Sequence, residues 1–557
     1  MTSEQHVSLY PELDEASLTQ FAAALRSGDT AHLSPARAGE VTRALSVLTF
    51  AQVQVPGEGG VKLAGALWRH TGNRPRPAIV MPAPWTDFGW LVYAVQATRF
   101  ALKGYHVLAY TPRGFGLAQF GGASGGEVEV AGPLDVADGR AALTYLIDQV
   151  KGPVTKTGFL GDSYGSGISQ LVAAHDPRVD AVAALSTWGD LGEAFYENST
   201  RHVESVRLLR QAAQRARLSA RTEQAFDDVL ADRNVEETLE WARERSPYTY
   251  VDLLNGRPVA VFYANAWHET LFPANQALRT FTALTGPRRI DLSIGDHSGP
   301  EMSGMIGLPN RIWADAHRWF DHHLKGEPNG IATEGRVLGQ IMWNEELELR
   351  DDWGAVTETT DRLYLTSTAV SGDGRGRHER DGGLAEKPET GWTSEFRVGT
   401  DTPATVADKI LETGNQEMAG NPKVYPTHDI DRADAAVWVT GGYPSGARLR
   451  GIPRLHLTYT STHASSTFVA HLFDVGPDGS AHIVTHAPFT RLDHSPGRPV
   501  SVDVEFQATG YDIPADHRLM LVLDTVDPFY GDANAPGGTI TVTSPADDPS
   551  HLDLPLG

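Results

Sequence analysis

The sequence predicts an α/β domain with a helical insertion, followed by an all-β domain of sandwich or jelly-roll type. Three observations carry this. From about residue 50, short apolar runs alternate with stretches of helical period; between Asp190 and Tyr250 charged helical sequence takes over; beyond Asp361 the apolar period becomes two. A chain of 557 residues, 41% of them hydrophobic, has the length and core material for roughly two to four domains. The expected units are an N-terminal helical appendage over 1–50, an α/β domain over 51–335 with its lid-like insertion at 190–250, and a β domain over 336–557.

Residues 11–50 read as helical: Leu18, Phe21, Ala22 and Leu25 share a face behind the N-cap residue Asp14. Buried strands are expected at Pro77–Met81, His106–Tyr110, Gly158–Leu160 and Val182–Leu185, with helices at Leu91–Leu102 and Asp135–Val150. Strand and helix in alternation imply a parallel sheet covered on both faces. The insertion contributes helices near Thr222–Leu230 and Val235–Arg245. Strands return at Pro258–Ala264 and Arg289–Ile294, before a helix over Arg311–Leu324 that stops at Gly326 with Pro328 beyond. In the last third, Leu455, Leu457 and Tyr459, and again Val502, Val504 and Phe506, alternate as strands do, and the Gly-, Asp- and Arg-rich stretch Ser371–Thr393 reads as a surface loop.

Composition removes several functions. With no cysteine there is no disulfide, thiolate metal site or cysteine nucleophile. Lys+Arg 47 against Asp+Glu 70 gives −23, which opposes nucleic-acid phosphate and anionic lipid alike. No apolar run approaches the roughly 18 residues of a membrane span, and Met1–Glu15 lacks the basic and apolar regions of a secretory signal, so a cytoplasmic location is expected. Among Asp315, His317, His322 and His323, the pair His317 and His322 is spaced i and i+5, which does not stack them on one helical face as metal ligands would. Glycines 121, 122, 125 and 126 lack a nucleotide fingerprint. No metal or cofactor is expected.

The most informative segment is Gly158-Phe-Leu-Gly161-Asp-Ser163-Tyr-Gly165-Ser-Gly167, a short apolar run entering G-x-S-x-G and then a helix-like run over Ile168–Ala174. This is the pattern of a nucleophile elbow, in which a strained turn presents Ser163 at the top of the sheet and flanking glycines avoid collision. Serine needs a base, normally a histidine held by a carboxylate. On that fold the order is Ser, acid, His, the latter two just after strands. His297, in Gly295-Asp-His-Ser-Gly299, follows the strand ending at Ile294. Glu269 is the one carboxylate in Asn265–Pro273, after the preceding strand. Asp190 and Asp296 are competitors for the acid.

These residues resemble the peptidase S15 group of α/β-hydrolases, the X-Pro dipeptidyl-peptidase and cocaine-esterase-like enzymes. The resemblance spans about 50–550 and includes Ser163-Tyr164-Gly165, Glu269-Thr-Leu-Phe272, Gly295-Asp-His-Ser298, Arg113-Gly-Phe-Gly116, Trp319–Gly326 and Asp361–Leu365. It implies an α/β-hydrolase domain with a C-terminal jelly roll, and an oxyanion hole made by the Tyr164 backbone N–H and a tyrosine hydroxyl. Trp85, in Pro84-Trp85, occupies the tyrosine's place, and Glu269 stands where relatives have aspartate. The expected activity is hydrolysis of an ester or amide of a small molecule or short peptide through an acyl-enzyme, with catalytic Ser163, His297 and Glu269 and an oxyanion hole of Tyr164 and Trp85. The rivals are an X-Pro dipeptidyl aminopeptidase, an acyltransferase and a non-catalytic binding protein on the same scaffold. A homo-oligomer is left open.

Overall fold

The structure, a computed structural model, describes residues 8–344, 346–367, 380–407 and 409–557. Among them ten strands form the sheet that carries the site. They are β1 (Leu48–Pro56), β2 (Lys62–His70), β3 (Arg76–Pro82), β4 (His106–Tyr110), β5 (Val154–Asp162), β6 (Val179–Leu185), β7 (Ala260–Ala266), β8 (Arg288–Ser293), β9 (Val337–Gln340) and β10 (Leu347–Arg350). Their spatial order is β1-β2-β4-β3-β5-β6-β7-β8-β9-β10. Pairing is parallel from β4 through β9 and antiparallel at both ends. This is the α/β-hydrolase arrangement.

The central strands are read easily because both their faces are covered: β4 and β7 are buried along their whole length, as parallel strands between helical layers are. The helices Ala94–Leu102, Pro133–Gln149, Tyr164–His175 and Arg311–Lys325 supply those layers. The last ends at Gly326 with φ 77°, its N–H bonded back to the helix, the left-handed stop that glycine permits.

The edges depart from expectation. Residues 11–50 form two helices, Glu15–Ser27 and Pro35–Val47, and β1 begins at Leu48. Asp14 does cap the first helix, accepting from the Ser17 N–H. These helices are no loose appendage: Leu18, Phe21, Ala22 and Leu25 are buried in the core of the α/β domain. At the other end β9 and β10 extend the α/β sheet past residue 335, so the chain leaves that sheet only after Arg350. β1 and β10 are half exposed and carry a weaker apolar signal than central strands, and β9, though buried, is only four residues long.

The insertion between β6 and β7 contains helices Leu191–Phe195, Val203–Ala212, Ala220–Ala231 and Val235–Arg243 and a small hairpin of Tyr196–Glu197 with Thr200–Arg201. The following domain is all-β, with thirteen strands linked by pairing among the described residues. Arg454–Ser461 buries Leu455, Leu457 and Tyr459 as the alternation requires. The expected loop over 371–393 lies outside the described residues at 371–379, and Gly382–Ala385 within it is a strand paired with Ala436–Val439.

Candidate active site

Ser163 lies between β5 and the helix Tyr164–His175, with φ 52° and ψ −120°. A non-glycine residue in that region is strained, by about 1–3 kcal/mol. The turn is tight enough that a Cβ on Gly161 would collide with the main chain of Gly165, and one on Gly165 with the carbonyl of Pro82 at the end of β3. The Ser163 N–H donates to the Leu185 carbonyl at 2.8 Å, tying the turn to the end of β6. Tyr164 opens the helix, so its N–H has no intrahelical acceptor and lies at the positive end of the dipole.

The loops after β7 and β8 bring two further side chains to Ser163. The Ser163 hydroxyl lies 2.8 Å from His297 Nε2, and Nδ1 of the same ring lies 3.0 and 3.1 Å from the two oxygens of Glu269. Glu269 Oε1 also accepts the main-chain N–H groups of Leu271 and Phe272, at 3.1 and 3.2 Å. Its carboxylate is thereby fixed in orientation. All three residues are buried. Glutamate's extra methylene does not keep the carboxylate from the ring.

Both competing carboxylates are engaged elsewhere. Asp190 caps the helix Leu191–Phe195, accepting from the N–H groups of Gly192 and Glu193. Asp296 accepts from the Thr270 N–H and hydroxyl and from the main-chain N–H of His297, not from its ring. Among the described residues no three potential ligands group to hold a metal ion. His317, one of the four weighed for that role, contacts Gln96.

The site is unusually acidic beneath the imidazole. Burial would lower the pKa of His297, but the charge and hydrogen bond of Glu269, reinforced by Asp162 and Asp296, raise it above the ordinary 6.5. Burial pushes Asp296 up to about 7, with Glu269 adding to the rise, and Asp162 up to about 6 against the opposing pull of His297. Glu301 is raised by burial and by Asp162. If His297 acts as a base, its neutral form is the active one, so activity falls as pH drops through a value above 6.5. The expected result is a kcat/KM profile on an activated ester whose acid midpoint lies above 6.5. A midpoint at or below 6.5 contradicts it.

The indole N–H of Trp85 does not face an open oxyanion site. It donates to the Leu209 carbonyl, at 3.0 Å, on the insertion helix Val203–Ala212. An indole has one N–H hydrogen to give, so the donor expected from the sequence is committed to the insertion. The ring packs edge-on against Tyr164, 5.2 Å between centroids. The Tyr164 hydroxyl is also occupied, donating to Asp135 at 2.7 Å.

Sequence reasoning missed how the β domain braces the two loops. His268, next to Glu269, lies 2.7 Å from Glu417 and 3.2 Å from the Val484 carbonyl, both in the β domain. Gly414 packs so closely on Gly295, at the start of the histidine loop, that a Cβ there would strike its carbonyl. Glu417 carried no local motif; only its spatial neighbour gives it meaning.

Comparison with known proteins places the chain in a family. Residues 59–299 match the family model described as X-Pro dipeptidyl-peptidase (S15 family), and residues 329–553 match that of the X-Pro dipeptidyl-peptidase C-terminal non-catalytic domain. The chain is 23% identical to a cocaine esterase of Rhodococcus sp. (strain MB1 Bresler), across 90% of this chain and 98% of that one. It is 22% identical to a putative Xaa-Pro dipeptidyl-peptidase of Streptomyces avermitilis, across 78% and 70%. An aminopeptidase from a marine sediment Thaumarchaeota archaeon shares the fold with a TM-score of 0.68 at 16% identity, across 91% and 96%. The chain belongs to the S15 peptidase and cocaine-esterase-like family of α/β-hydrolases.

Proposed function

We propose that this protein is a serine hydrolase that cleaves a small carboxylic ester or amide through an acyl-enzyme. The observation that carries the reading is the continuous hydrogen-bonded chain from Ser163 through His297 to Glu269. Ser163 Oγ attacks the carbonyl carbon while His297 Nε2 takes its proton. The tetrahedral intermediate collapses as His297 returns that proton to the leaving group; water, activated the same way, then releases the acid and frees Ser163. Glu269 holds the ring and balances the imidazolium.

The oxyanion falls to the Tyr164 N–H and to the main chain of the loop after β3, where this fold supplies its second donor. Ala83 already donates to the Tyr110 carbonyl, and Pro84 has no N–H, which leaves the main-chain N–H of Trp85 as the first in that loop to serve. The Trp85 side chain is then a wall and a tether for the insertion. Trp85→Phe is expected to change kcat less than about tenfold while raising KM. Loss of kcat by about 10²–10³ with KM unchanged, the size of one lost oxyanion donor, would return the indole to that role.

Among substrates the reading favours a neutral ester over the free N-terminus of an X-Pro peptide. A peptide ammonium needs an unpaired carboxylate, whereas Asp87, beside Trp85, faces Arg215 at 3.5 Å, and Glu269 and Asp296 hold the two loops. Comparing kcat/KM on a p-nitrophenyl ester with that on an X-Pro p-nitroanilide tests this choice. Higher kcat/KM on the anilide would reverse it.

A further inference from the structure

Residues 8–47 precede the region matched by the catalytic family model, which begins at 59, yet they reach the nucleophile. Tyr10 is buried, and its hydroxyl donates to Asp162 Oδ2 at 2.6 Å. The Ser298 hydroxyl donates to the same oxygen at 2.8 Å, and the Asp162 N–H donates to the Tyr93 hydroxyl at 2.8 Å. Asp162 immediately precedes Ser163, and Ser298 immediately follows His297. One carboxylate thus joins the nucleophile turn to the histidine loop, with Tyr10 as its third arm.

We propose that the N-terminal segment is a working part of the active site through Tyr10, a positioning residue that sets Ser163 and His297 through Asp162. The proposal rests on the reading of Ser163 as nucleophile.

The groups facing Asp162 are Tyr10, Tyr93, His297, Glu269 and Glu301. The Tyr10 hydrogen bond lowers the Asp162 pKa, and the Asp162 charge in turn raises that of His297. Removing the hydroxyl lets Asp162 protonate at higher pH and takes away support for the imidazolium.

The test uses the full chain as wild type, Tyr10→Phe and Ser298→Ala, with p-nitrophenyl acetate. Tyr10→Phe is expected to lower kcat about tenfold, the scale of one hydrogen bond, with little change in KM, and to move the acid limb of kcat/KM down, because Asp162 then supports the imidazolium less. Ser298→Ala, which removes the other hydroxyl bonded to the same Asp162 oxygen, is expected to move the acid limb in the same direction. Tyr10→Phe that lowers only the melting temperature, with kcat and pH profile intact, overturns the positioning role. An unmoved acid limb in Ser298→Ala overturns the role given to Asp162, and still bears on the proposal should Tyr10→Phe not fold. Labelling of wild-type Ser163 by a fluorophosphonate separates the two levels: without it the nucleophile reading fails and the proposal falls with it, whereas labelling with wild-type behaviour in both variants sinks the proposal alone.

Discussion

Replacing Ser163 with alanine is expected to lower hydrolysis of an activated ester by about 10⁴–10⁶-fold, leaving the melting temperature within a few degrees of wild type. The size follows from covalent catalysis: without Oγ there is no acyl-enzyme, and His297 and Glu269 have no proton to move, so the loss approaches that of removing the whole triad. What activity remains comes from binding and the oxyanion donors. The fold should survive because alanine keeps the Cβ that the turn already accommodates, and the strained φ of 52° is held by main-chain hydrogen bonds, from the Ser163 N–H to the Leu185 carbonyl and from the Ser166 N–H to the Ser163 carbonyl, rather than by the hydroxyl. Burst kinetics would disappear with turnover. A variant that retains a tenth of wild-type activity would place the nucleophile elsewhere.

Replacing Glu269 with glutamine is expected to lower kcat by about 10²–10⁴-fold and to move the acid limb of the pH profile downward. The two effects share a cause. The carboxylate accepts from Nδ1 and is itself fixed by the Leu271 and Phe272 N–H groups. An amide can turn its NH₂ toward Nδ1, which favours the wrong tautomer, and it supplies no charge to the imidazolium. Because Glu269 is the leading group that raises the His297 pKa against burial, its removal lets the ring deprotonate at lower pH. Asp190→Asn serves as the comparison: Asp190 caps a helix of the insertion, so its loss should leave kcat near wild type. Full activity in Glu269→Gln would overturn the assignment of the acid.

The parts of this molecule legible in the sequence are those written locally. The nucleophile turn announces itself through Gly161 and Gly165, each forced by a collision only a few residues away or at the end of a neighbouring strand. His297 and Glu269 follow buried strands, and position after a strand marked them as candidates, as it also marked Asp190. The indole of Trp85 shows the limit: its place in the chain suggested an oxyanion donor, but its acceptor, Leu209, lies 124 positions away. Tyr10 and Glu417 were invisible for the same reason. Their meaning comes from Asp162 and His268, 152 and 149 positions distant, and a tyrosine in a polar N-terminal stretch or a glutamate in a β domain carries no periodic signal of its own. The edge strands β1 and β10 were missed because half-exposed strands lack the continuous apolar run that marks β4 and β7, and β9, though buried, is only four residues long.

The central claim is that Ser163 is an activated nucleophile open to a carbonyl-sized electrophile, and reaction with a fluorophosphonate probe followed by peptide mass mapping tests it most directly. Phosphonylation needs the serine, the base that activates it and a path to the pocket together. The expected result is a single labelled serine, Ser163, with labelling abolished in Ser163→Ala and slowed in Glu269→Gln. Labelling of another serine, or none in the folded wild-type protein, would contradict the account.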